Sequence, residues 1–379
     1  MGKATTLLAK LSALKDTYSG VAGKTGGVLQ LAEEFKAPEI LATGFPELDN
    51  KVLVIGGIPK GRVTELAGET GAGKSTLACN IMANAIAAGM ACVYADKEDT
   101  MTAEYAEKIG CPKDSFLLFK GHGLSGPDYL ERLMLQMESG AELIILDSLA
   151  FIASDDLSDT ELADVTMKTN MSTPMLTKAF IQKLYSGWAP KTDHWKEVAG
   201  KTGKVSITDT GTTLIVINHL KTKLGPQYGK PDKDSGGGDS IKFAYSIRFA
   251  MERYGMARDK SLQDEDGNPI YTRTKITVVK NKLAPGGRST MMFVDNRTGR
   301  FFSDQEAILK FAIQMNIVLK KGAWYYWHDG FKTDAKLHKA LGLKDFNPDM
   351  KEQGKDKVLE YINTNSGLLA HVLGVRLNK

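Results

Sequence analysis

Eight consecutive residues have the types and spacing needed to hold nucleotide phosphates. They read Gly68-Glu69-Thr70-Gly71-Ala72-Gly73-Lys74-Ser75, which is the complete Walker A motif. The glycines let backbone N–H groups wrap the phosphates, Lys74 reaches the β- and γ-phosphates, and the Ser75 hydroxyl ligates Mg²⁺. A helical pattern that includes Thr76 follows the loop, so the first helical turn points its positive end at the same phosphates. The sequence therefore predicts a site for ATP and Mg²⁺.

A second acidic position completes the predicted metal site. Asp147 ends the apolar run Leu143–Leu146, which is the Walker B pattern. A buried strand would bring this carboxylate to the Mg²⁺ ion. Many strands end in aspartate, so the pattern is specific only in combination with a phosphate-binding loop in the same sheet. We expect Ser75 and Asp147 to share the metal.

Three carboxylates follow another short apolar strand, and one of them could polarise the water that attacks the γ-phosphate. They are Asp96, Glu98 and Asp99. A carboxylate at the end of a strand beside the phosphate-binding loop has the position that this role requires. Position alone gives Glu98 only a modest preference over its two neighbours.

Two further polar pairs stand at strand ends. Asn218-His219 follow the apolar residues 214–217 and would face the γ-phosphate, where His219 could sense the nucleotide; the alternative is an ordinary loop histidine. Lys280 and Lys282 are separated by one residue, so an extended chain points both to the same side. They could clamp phosphate from ATP or from DNA, or they could mark a solvated strand end.

The elements that must position these groups alternate along the chain. Strand patterns lie at 63–67, 91–95, 116–119, 143–146, 214–217, 276–279 and 292–294, and helical patterns lie at 74–88, 103–109 and 129–138. Strands that alternate with helices predict a parallel sheet with crossover helices. We expect three units: an N-terminal helix and linker at 1–40, a core at 41–302 and a small C-terminal domain at 303–379.

Three segments do not fit this alternation. Residues 154–170 are polar, residues 221–239 are rich in glycine and lysine, and residues 186–212 hold two tryptophans and predict an inserted loop or hairpin. Long irregular segments inside a compact domain are usually functional or disordered. At the N-terminus, spaced leucines predict an amphipathic helix that buries them in its own core or against a neighbouring subunit.

The overall composition is that of an ordinary globular protein. The 379 residues are 42% hydrophobic and 25% charged, with a formal net charge of +4, which argues against disorder and against a simple electrostatic DNA binder. Cys79, Cys92 and Cys111 lack metal-ligand spacing and predict buried free thiols in a reducing compartment. The chain has no run of 18 apolar residues, so we expect no membrane span and a cytoplasmic location, in the host if a phage encodes it.

Taken in order, these motifs resemble those of the RecA recombinases, including phage versions such as UvsX. The residues that carry the resemblance are Thr43-Gly44-Phe45-Pro46-Glu47-Leu48-Asp49, Gly57 to Arg62, the Walker A loop, Asp96-Lys97-Glu98, Leu146-Asp147-Ser148, Ile217-Asn218-His219, Gly237 to Phe243, Val278 to Lys282 and Gly322-Ala323-Trp324-Tyr325. The resemblance implies an α/β fold: a RecA-type P-loop ATPase core whose mainly parallel, twisted sheet is flanked by helices, with a short N-terminal helix and a small C-terminal α+β domain.

The resemblance also implies roles for single residues. Glu98 would activate water, and Tyr105 sits where the family stacks an aromatic ring on adenine. Lys280 and Lys282 would reach across a subunit interface to the neighbour's γ-phosphate, as an arginine finger does in trans. ATP would then hold together a homo-oligomeric helical filament, and the N-terminal helix would dock on the next protomer.

Two of the irregular segments match the DNA-facing loops of that family, at about 154–171 and 220–238. The resemblance implies contacts to single-stranded and duplex DNA from Met167, Met171, Lys221, Lys223, Lys230, Gly236, Gly237 and Gly238. Lysines and backbone amides that contact phosphates suit sequence-independent binding. Single-strand-binding and mediator proteins are further expected partners.

Departures from the family pattern leave alternatives open. His219 replaces the usual glutamine sensor, Thr70 replaces a glutamate used at the bacterial subunit interface, and residues 351–379 lack the strongly acidic tail of bacterial members. A hexameric replicative helicase of the DnaB type uses the same core, although it usually supplies an arginine finger. An ATP-gated scaffold that binds no DNA is the second alternative; Glu98 and the glycine-rich segment argue against it.

Overall fold

The computed structural model describes most of the chain from residue 37 onward. The described residues are 37–152, 167–200, 203–222, 233–235, 238–254, 271–341, 343, 346–365 and 368. The predicted N-terminal helix lies outside them. So do four predicted DNA contacts: Lys223, Lys230, Gly236 and Gly237. In the described part of the chain, no helix is both long and apolar enough to cross a membrane.

A sheet of ten strands forms the centre of the molecule, in the order β12-β11-β10-β9-β3-β7-β6-β4-β5, with β8 paired to β7. Its strands are β3 (Val63–Gly68), β4 (Cys92–Asp96), β5 (Phe116–Phe119), β6 (Leu143–Asp147), β7 (Thr213–Thr222), β8 (Lys233–Ser235), β9 (Ile247–Arg253), β10 (Tyr271–Asn281), β11 (Ser289–Asp295) and β12 (Arg300–Ser303). A small separate pair joins β1 (Ile40–Leu41) to β2 (Ile58–Pro59).

The sheet has a parallel half and an antiparallel half. Strands β9, β3, β7, β6, β4 and β5 are parallel to one another, as the alternation of helices and strands predicts. Strands β9 to β12 pair antiparallel. The predicted strands at 276–279 and 292–294 therefore exist, but they join the sheet as β10 and β11 of a meander. Short direct connections such as 282–288 can only join antiparallel neighbours.

Helices cover both faces of the parallel half. They are α1 (Lys74–Ala87), α2 (Ala103–Ile109), α3 (Gly126–Glu138), α4 (Met167–Ser186), α5 (Asp193–Ala199), α6 (Ile207–Thr210) and α7 (Gly238–Ala244). A π-helical segment at Leu48–Leu53 and a 3-10 turn at Leu149–Phe151 complete this part. Along β6, Leu143 and Ile145 join the cluster under α1, while Ile144 and Leu146 join the cluster under α3 and α4. Because both faces are buried, this strand reads as a continuous apolar run.

The described residues from 304 onward form a second, smaller sheet with four helices. The elements are α8 (Asp304–Gln314), β13 (Val318–Lys321), β14 (Trp324–Trp327), α9 (Asp329–Lys332), α10 (Ala335–Leu341), β15 (Lys351–Gln353) and α11 (Asp356–Thr364). The aromatic run noted in the sequence is strand β14. The buried cluster of this unit includes Tyr271, Phe293 and Phe302, which belong to the large sheet. The division at residue 302 falls within β12 and stays a prediction.

Two irregular segments are partly regular in the structure. Helix α4 begins at Met167, so Met167 and Met171 belong to a helix and not to a loop. Strand β7 continues to Thr222, because its end pairs with β8 in the register Leu220 to Ser235 and Thr222 to Lys233. Lys221 therefore belongs to a strand, and Gly238 is the first residue of α7. The end of β7 and strand β8 are joined by backbone pairing, which side-chain composition does not reveal.

The insertion at 186–212 pairs Trp188 with Val205 in one antiparallel bridge, as a hairpin would, and its first part is built around a buried carboxylate. Glu138, at the end of α3, accepts hydrogen bonds from Trp188 Nε1 at 2.8 Å and from the Lys191 and Thr192 amides at 2.9 Å each. The Trp195 indole donates to the Glu138 carbonyl at 2.7 Å. Burial favours the neutral acid, but the hydrogen bonds outweigh it and lower the pKa of Glu138. One carboxylate side chain therefore anchors residues 188–192, the first part of the insertion.

We predict that Glu138→Gln lowers the free energy of unfolding by about 2 kcal/mol at pH 7. The amide loses the charge-assisted hydrogen bonds, and its NH₂ group faces N–H groups that also need an acceptor. A lowered folded-state pKa contributes stability above the ordinary value of 4.5 and loses it as pH falls below that value. Urea denaturation at several pH values tests this. The matched control is Glu131→Gln on the same helix, which removes an exposed ion pair to Lys191 and should change stability by less than about 0.5 kcal/mol. Equal losses in both variants would contradict the anchor.

Candidate functional site

The phosphate-binding loop joins the centre of the sheet to α1. Gly71 and Gly73 have φ of +75° and +82°, a left-handed conformation that favours glycine. Gly68 has a different reason to be glycine, because a Cβ there would lie 2.6 Å from the Met251 carbonyl oxygen. The helix begins at Lys74 with no side chain capping its first turn. Its free N–H groups are therefore available to an anion.

A cavity of about 280 Å³ opens over this loop and gathers most of the predicted nucleotide site. Its wall consists of Thr70, Gly71, Gly73, Lys74, Ser75, Thr76, Glu98, Asp147, Ile217, His219, Thr272, Val294 and Asn296. Gly68, Glu69 and Ala72 complete the loop beneath it. The structure thus brings together, at the carboxyl ends of parallel strands, groups as far apart in the sequence as Thr70 and His219.

Lys74 is buried and held in place by its own loop. Its Nζ donates to the Glu69 carbonyl at 2.9 Å. Burial lowers the pKa of this ammonium group, while the negative charges of Asp147 and Glu98 oppose that effect. A buried cation facing two carboxylates and a ring of backbone amides has the chemistry to bind a polyphosphate chelated to a metal.

Asp147 is buried at the end of β6. Its Oδ2 accepts a hydrogen bond from Tyr94 Oη at 2.5 Å, whereas its Oδ1 is buried without a hydrogen-bond partner. Burial raises the pKa of Asp147, and the Ser75 and Tyr94 hydroxyls oppose this rise. The described residues hold no cluster of three or more His, Cys, Asp or Glu able to bind a metal alone. The Ser75 hydroxyl and the Asp147 carboxylate are oxygen donors, the kind of ligand that Mg²⁺ takes beside substrate phosphates and water.

The geometry separates the three carboxylates that follow β4. Asp96 is buried, and its Oδ2 accepts from the Met101 amide at 2.7 Å. Asp99 is exposed and pairs with Lys120. Glu98 alone lines the cavity, where its Oε1 lies 3.1 Å from His219 Nε2. The carboxylate and the imidazole therefore line the cavity side by side.

The expectation that both members of the Asn218-His219 pair face the nucleotide is wrong for one of them. His219 lines the cavity, but Asn218 is buried on the other face of β7, because successive strand residues point to opposite sides. Asn218 Nδ2 donates to Glu65 Oε1 at 3.0 Å. Glu65, a buried carboxylate inside β3, is a residue that the sequence analysis missed.

Tyr105 lies beside the cavity and is not among the residues that line it. Its hydroxyl forms a hydrogen bond of 2.8 Å with Thr76 Oγ1, which ties α2 to the first turn of α1. Stacking on adenine stays a prediction. The wall on this side contains Thr272 and Asn296, whose side-chain oxygens lie 2.9 Å apart. No signal in the sequence singled out these two, since each belongs to an ordinary strand end.

Lys280 and Lys282 do not line the cavity of their own chain. Both side chains reach α7, as expected for residues on one side of a strand. Lys280 Nζ donates to the Lys242 and Phe243 carbonyls at 2.6 and 3.0 Å, and Lys282 Nζ donates to the Ala244 carbonyl at 3.4 Å. Burial, Lys282 and Arg248 lower the pKa of Lys280 to about 8, against the opposing charge of Glu65.

Three comparisons relate this chain to known proteins. A family model described as the RecA N-terminal domain matches residues 12–188 and 198–296. Protein RecA of Kineococcus radiotolerans is 28% identical over 345 residues, covering 90% of this chain and 89% of the relative. Protein RecA of Desulforapulum autotrophicum is 32% identical over 355 residues, covering 88% and 92%. Among solved structures, that of the RadB recombinase superposes with a TM-score of 0.46 and 15% identity, covering 68% of this chain and 98% of that one.

Proposed function

This chain belongs to the RecA family, and from that premise we propose that it is an ATP-dependent recombinase, which polymerises on single-stranded DNA and catalyses homologous pairing and strand exchange in recombination and repair. The observation that carries the proposal is one cavity that holds the phosphate-binding loop, Asp147, Glu98 and His219. Three free buried cysteines suit a reducing compartment such as the cytoplasm, that of the host if a phage encodes the chain.

The proposed reaction is hydrolysis of the β–γ phosphate bond of ATP. Glu98 Oε1 accepts a hydrogen bond from water and takes its proton as the water oxygen bonds to the γ-phosphorus. The bond to the bridging oxygen breaks, and Lys74 with the loop amides holds the charge that develops on the departing phosphate. The His219 ring, with its Nε2 3.1 Å from Glu98 Oε1, couples that carboxylate to strand β7. Mg²⁺, held by Ser75 and Asp147, would neutralise charge on the β- and γ-phosphate oxygens.

Subunit contacts are the second part of the proposal. The Lys280 and Lys282 side chains donate to α7 and do not reach their own cavity, so we assign them to the nucleotide of a neighbouring copy. A cation supplied in trans makes turnover depend on assembly. ATP binding would therefore promote a helical filament, and hydrolysis would release it.

DNA contact is the third part. The predicted DNA residue Lys221 follows the sensor His219 after a single residue on the same strand, so the DNA segment and the nucleotide site share β7. Lys223, Lys230 and the Gly236–Gly238 run extend that segment in the sequence. Met167 and Met171 stay candidate contacts at the start of α4. We propose sequence-independent binding of single-stranded and duplex DNA through phosphates, with single-strand-binding and mediator proteins as accessory partners.

The test is the ATPase rate with and without single-stranded DNA, on circular and linear strands, with electron microscopy of the same samples. We expect strong stimulation and open helical filaments, and a joint molecule when homologous duplex is added. Closed six-membered rings with stimulated turnover would favour a helicase. An ATPase rate and an assembly state that do not change when DNA is added would favour an ATP-gated scaffold.

A further inference from the structure

A buried carboxylate on β3 lies between the Glu98–His219 pair and the Lys280–Lys282 pair. Glu65 of β3 is fully buried, and each carboxylate oxygen has a partner on a different neighbouring strand. Its Oε1 accepts from Asn218 Nδ2 on β7 at 3.0 Å, and its Oε2 accepts from Arg248 Nε on β9 at 2.6 Å. The pairing of β3 with β9 places Glu65 directly opposite Arg248. The three side chains form a polar row across three strands of the sheet.

Stability does not account for this row. Removing two charges from water costs several kcal/mol per ion, and well-packed apolar residues of similar volume are often as stable. Apolar residues do fill the same face nearby, where Val63, Leu214 and Val216 belong to the buried cluster beneath α3 and α4. An ion pair placed beside these apolar residues therefore points to a requirement for charge and geometry at this position.

One end of the row reaches the nucleotide cavity. Asn218 Oδ1 accepts a hydrogen bond from the backbone amide of His219 at 2.9 Å. His219 in turn lies 3.1 Å from Glu98 through its Nε2. The orientation of the Asn218 amide is thus fixed on one side by Glu65 and on the other by the residue that contacts the catalytic carboxylate.

The other end of the row reaches the lysine pair. Arg248 lies opposite Lys280 in the antiparallel pairing of β9 with β10. Directly opposed cations on one face repel each other unless a countercharge lies close. Glu65 is that countercharge, and it lets Arg248, Lys280 and Lys282 share one side of the sheet while both lysines donate to the last carbonyls of α7.

We infer that Glu65 is a positioning residue, which sets the Glu98–His219 pair and the Lys280–Lys282 pair in a fixed relation through Asn218 and Arg248. The inference rests on the proposed function, since the lysine pair matters only if it acts on a neighbour's nucleotide. Glu65 touches no substrate. It fixes β7, which carries His219, relative to β9, which carries Arg248. The Glu98–His219 pair and the Lys280–Lys282 pair would then adopt their active positions together.

The test compares Glu65→Gln with Thr64→Val, the adjacent buried polar position on β3. Glu65→Gln keeps an acceptor for Asn218 but removes the charge that faces Arg248. We expect its DNA-stimulated kcat to fall about tenfold with the KM for ATP changed less than about threefold, in line with coupling effects of this size. Thr64→Val should keep both constants within about twofold.

A second variant separates positioning from simple structural support. Glu65→Gln/Arg248→Gln replaces the ion pair by a neutral hydrogen-bonded pair and leaves no uncompensated buried charge. We expect this double variant to recover the thermal midpoint lost in Glu65→Gln while its stimulated kcat stays low. If kcat recovers together with the midpoint, or if Glu65→Gln turns over as wild type does, the inference is wrong. If Glu65→Gln does not fold, the double variant alone decides between these outcomes. A wild-type rate that ignores DNA would instead overturn the proposed function itself.

Discussion

Lys74→Ala is expected to lower ATP turnover by at least about 100-fold, a loss of roughly 3–4 kcal/mol of transition-state stabilisation. The reason is position as well as charge. Lys74 is buried at the first turn of α1, and its Nζ is held 2.9 Å from the Glu69 carbonyl, within the loop that would wrap the phosphates. It also faces the carboxylates of Asp147 and Glu98, whose mutual repulsion it offsets. Removing it leaves a site with two negative groups facing a polyanion.

The measurement is steady-state phosphate release together with nucleotide binding on the same preparation. A matched control is Lys113→Ala, which removes an exposed lysine paired with Glu104 and Glu107 outside the cavity. That control should keep its rate within about twofold, because exposed ion pairs contribute little. Normal turnover in Lys74→Ala would mean that the cavity over α1 is not the hydrolytic site.

Much of this site follows from short segments of sequence, and the reason is physical. The loop from Gly68 to Ser75 specifies its own conformation, since its positive φ angles need glycine and its helix starts within the motif. The run Leu143–Leu146 is apolar because both faces of β6 are buried. Once a parallel sheet is predicted, Asp147, Glu98 and His219 must gather at one edge, because the carboxyl ends of parallel strands lie together.

The parts that the sequence did not predict depend on pairing between distant segments. Glu65 reads as one polar residue in a short strand, and its partners come from β7 and β9, more than 150 positions away. Thr272 and Asn296 line the cavity only because β10 and β11 join the sheet antiparallel. The sequence predicts only a loop or hairpin at 186–212, because no periodicity shows that the Lys191 and Thr192 amides donate to Glu138. Local patterns do not encode such contacts.

Lys280→Ala is expected to leave nucleotide binding by the isolated chain within about threefold while it returns DNA-stimulated turnover to the DNA-free rate. Cations supplied in trans contribute about 10³-fold or more to phosphoryl transfer. The side chain lies on the α7 carbonyls and outside its own cavity, so its loss should not disturb binding within one subunit. Lys282→Ala should behave in the same way. The matched control is Lys275→Ala, on the same strand but away from α7, which should keep full stimulation.

The pH dependence sharpens this prediction. The pKa of Lys280 is lowered to about 8 by burial and by the charges of Lys282 and Arg248, with Glu65 opposing. Lys280 carries its charge below that pH and loses it above, so ATP-dependent assembly of the chain onto DNA should weaken as pH rises through about 8. Lys282→Ala removes a repelling charge and should move this decline to higher pH in the assembly curve. Equal losses of basal and stimulated turnover in Lys280→Ala, or a decline that Lys282→Ala does not shift, would place these lysines outside the subunit interface and leave the cavity to act alone.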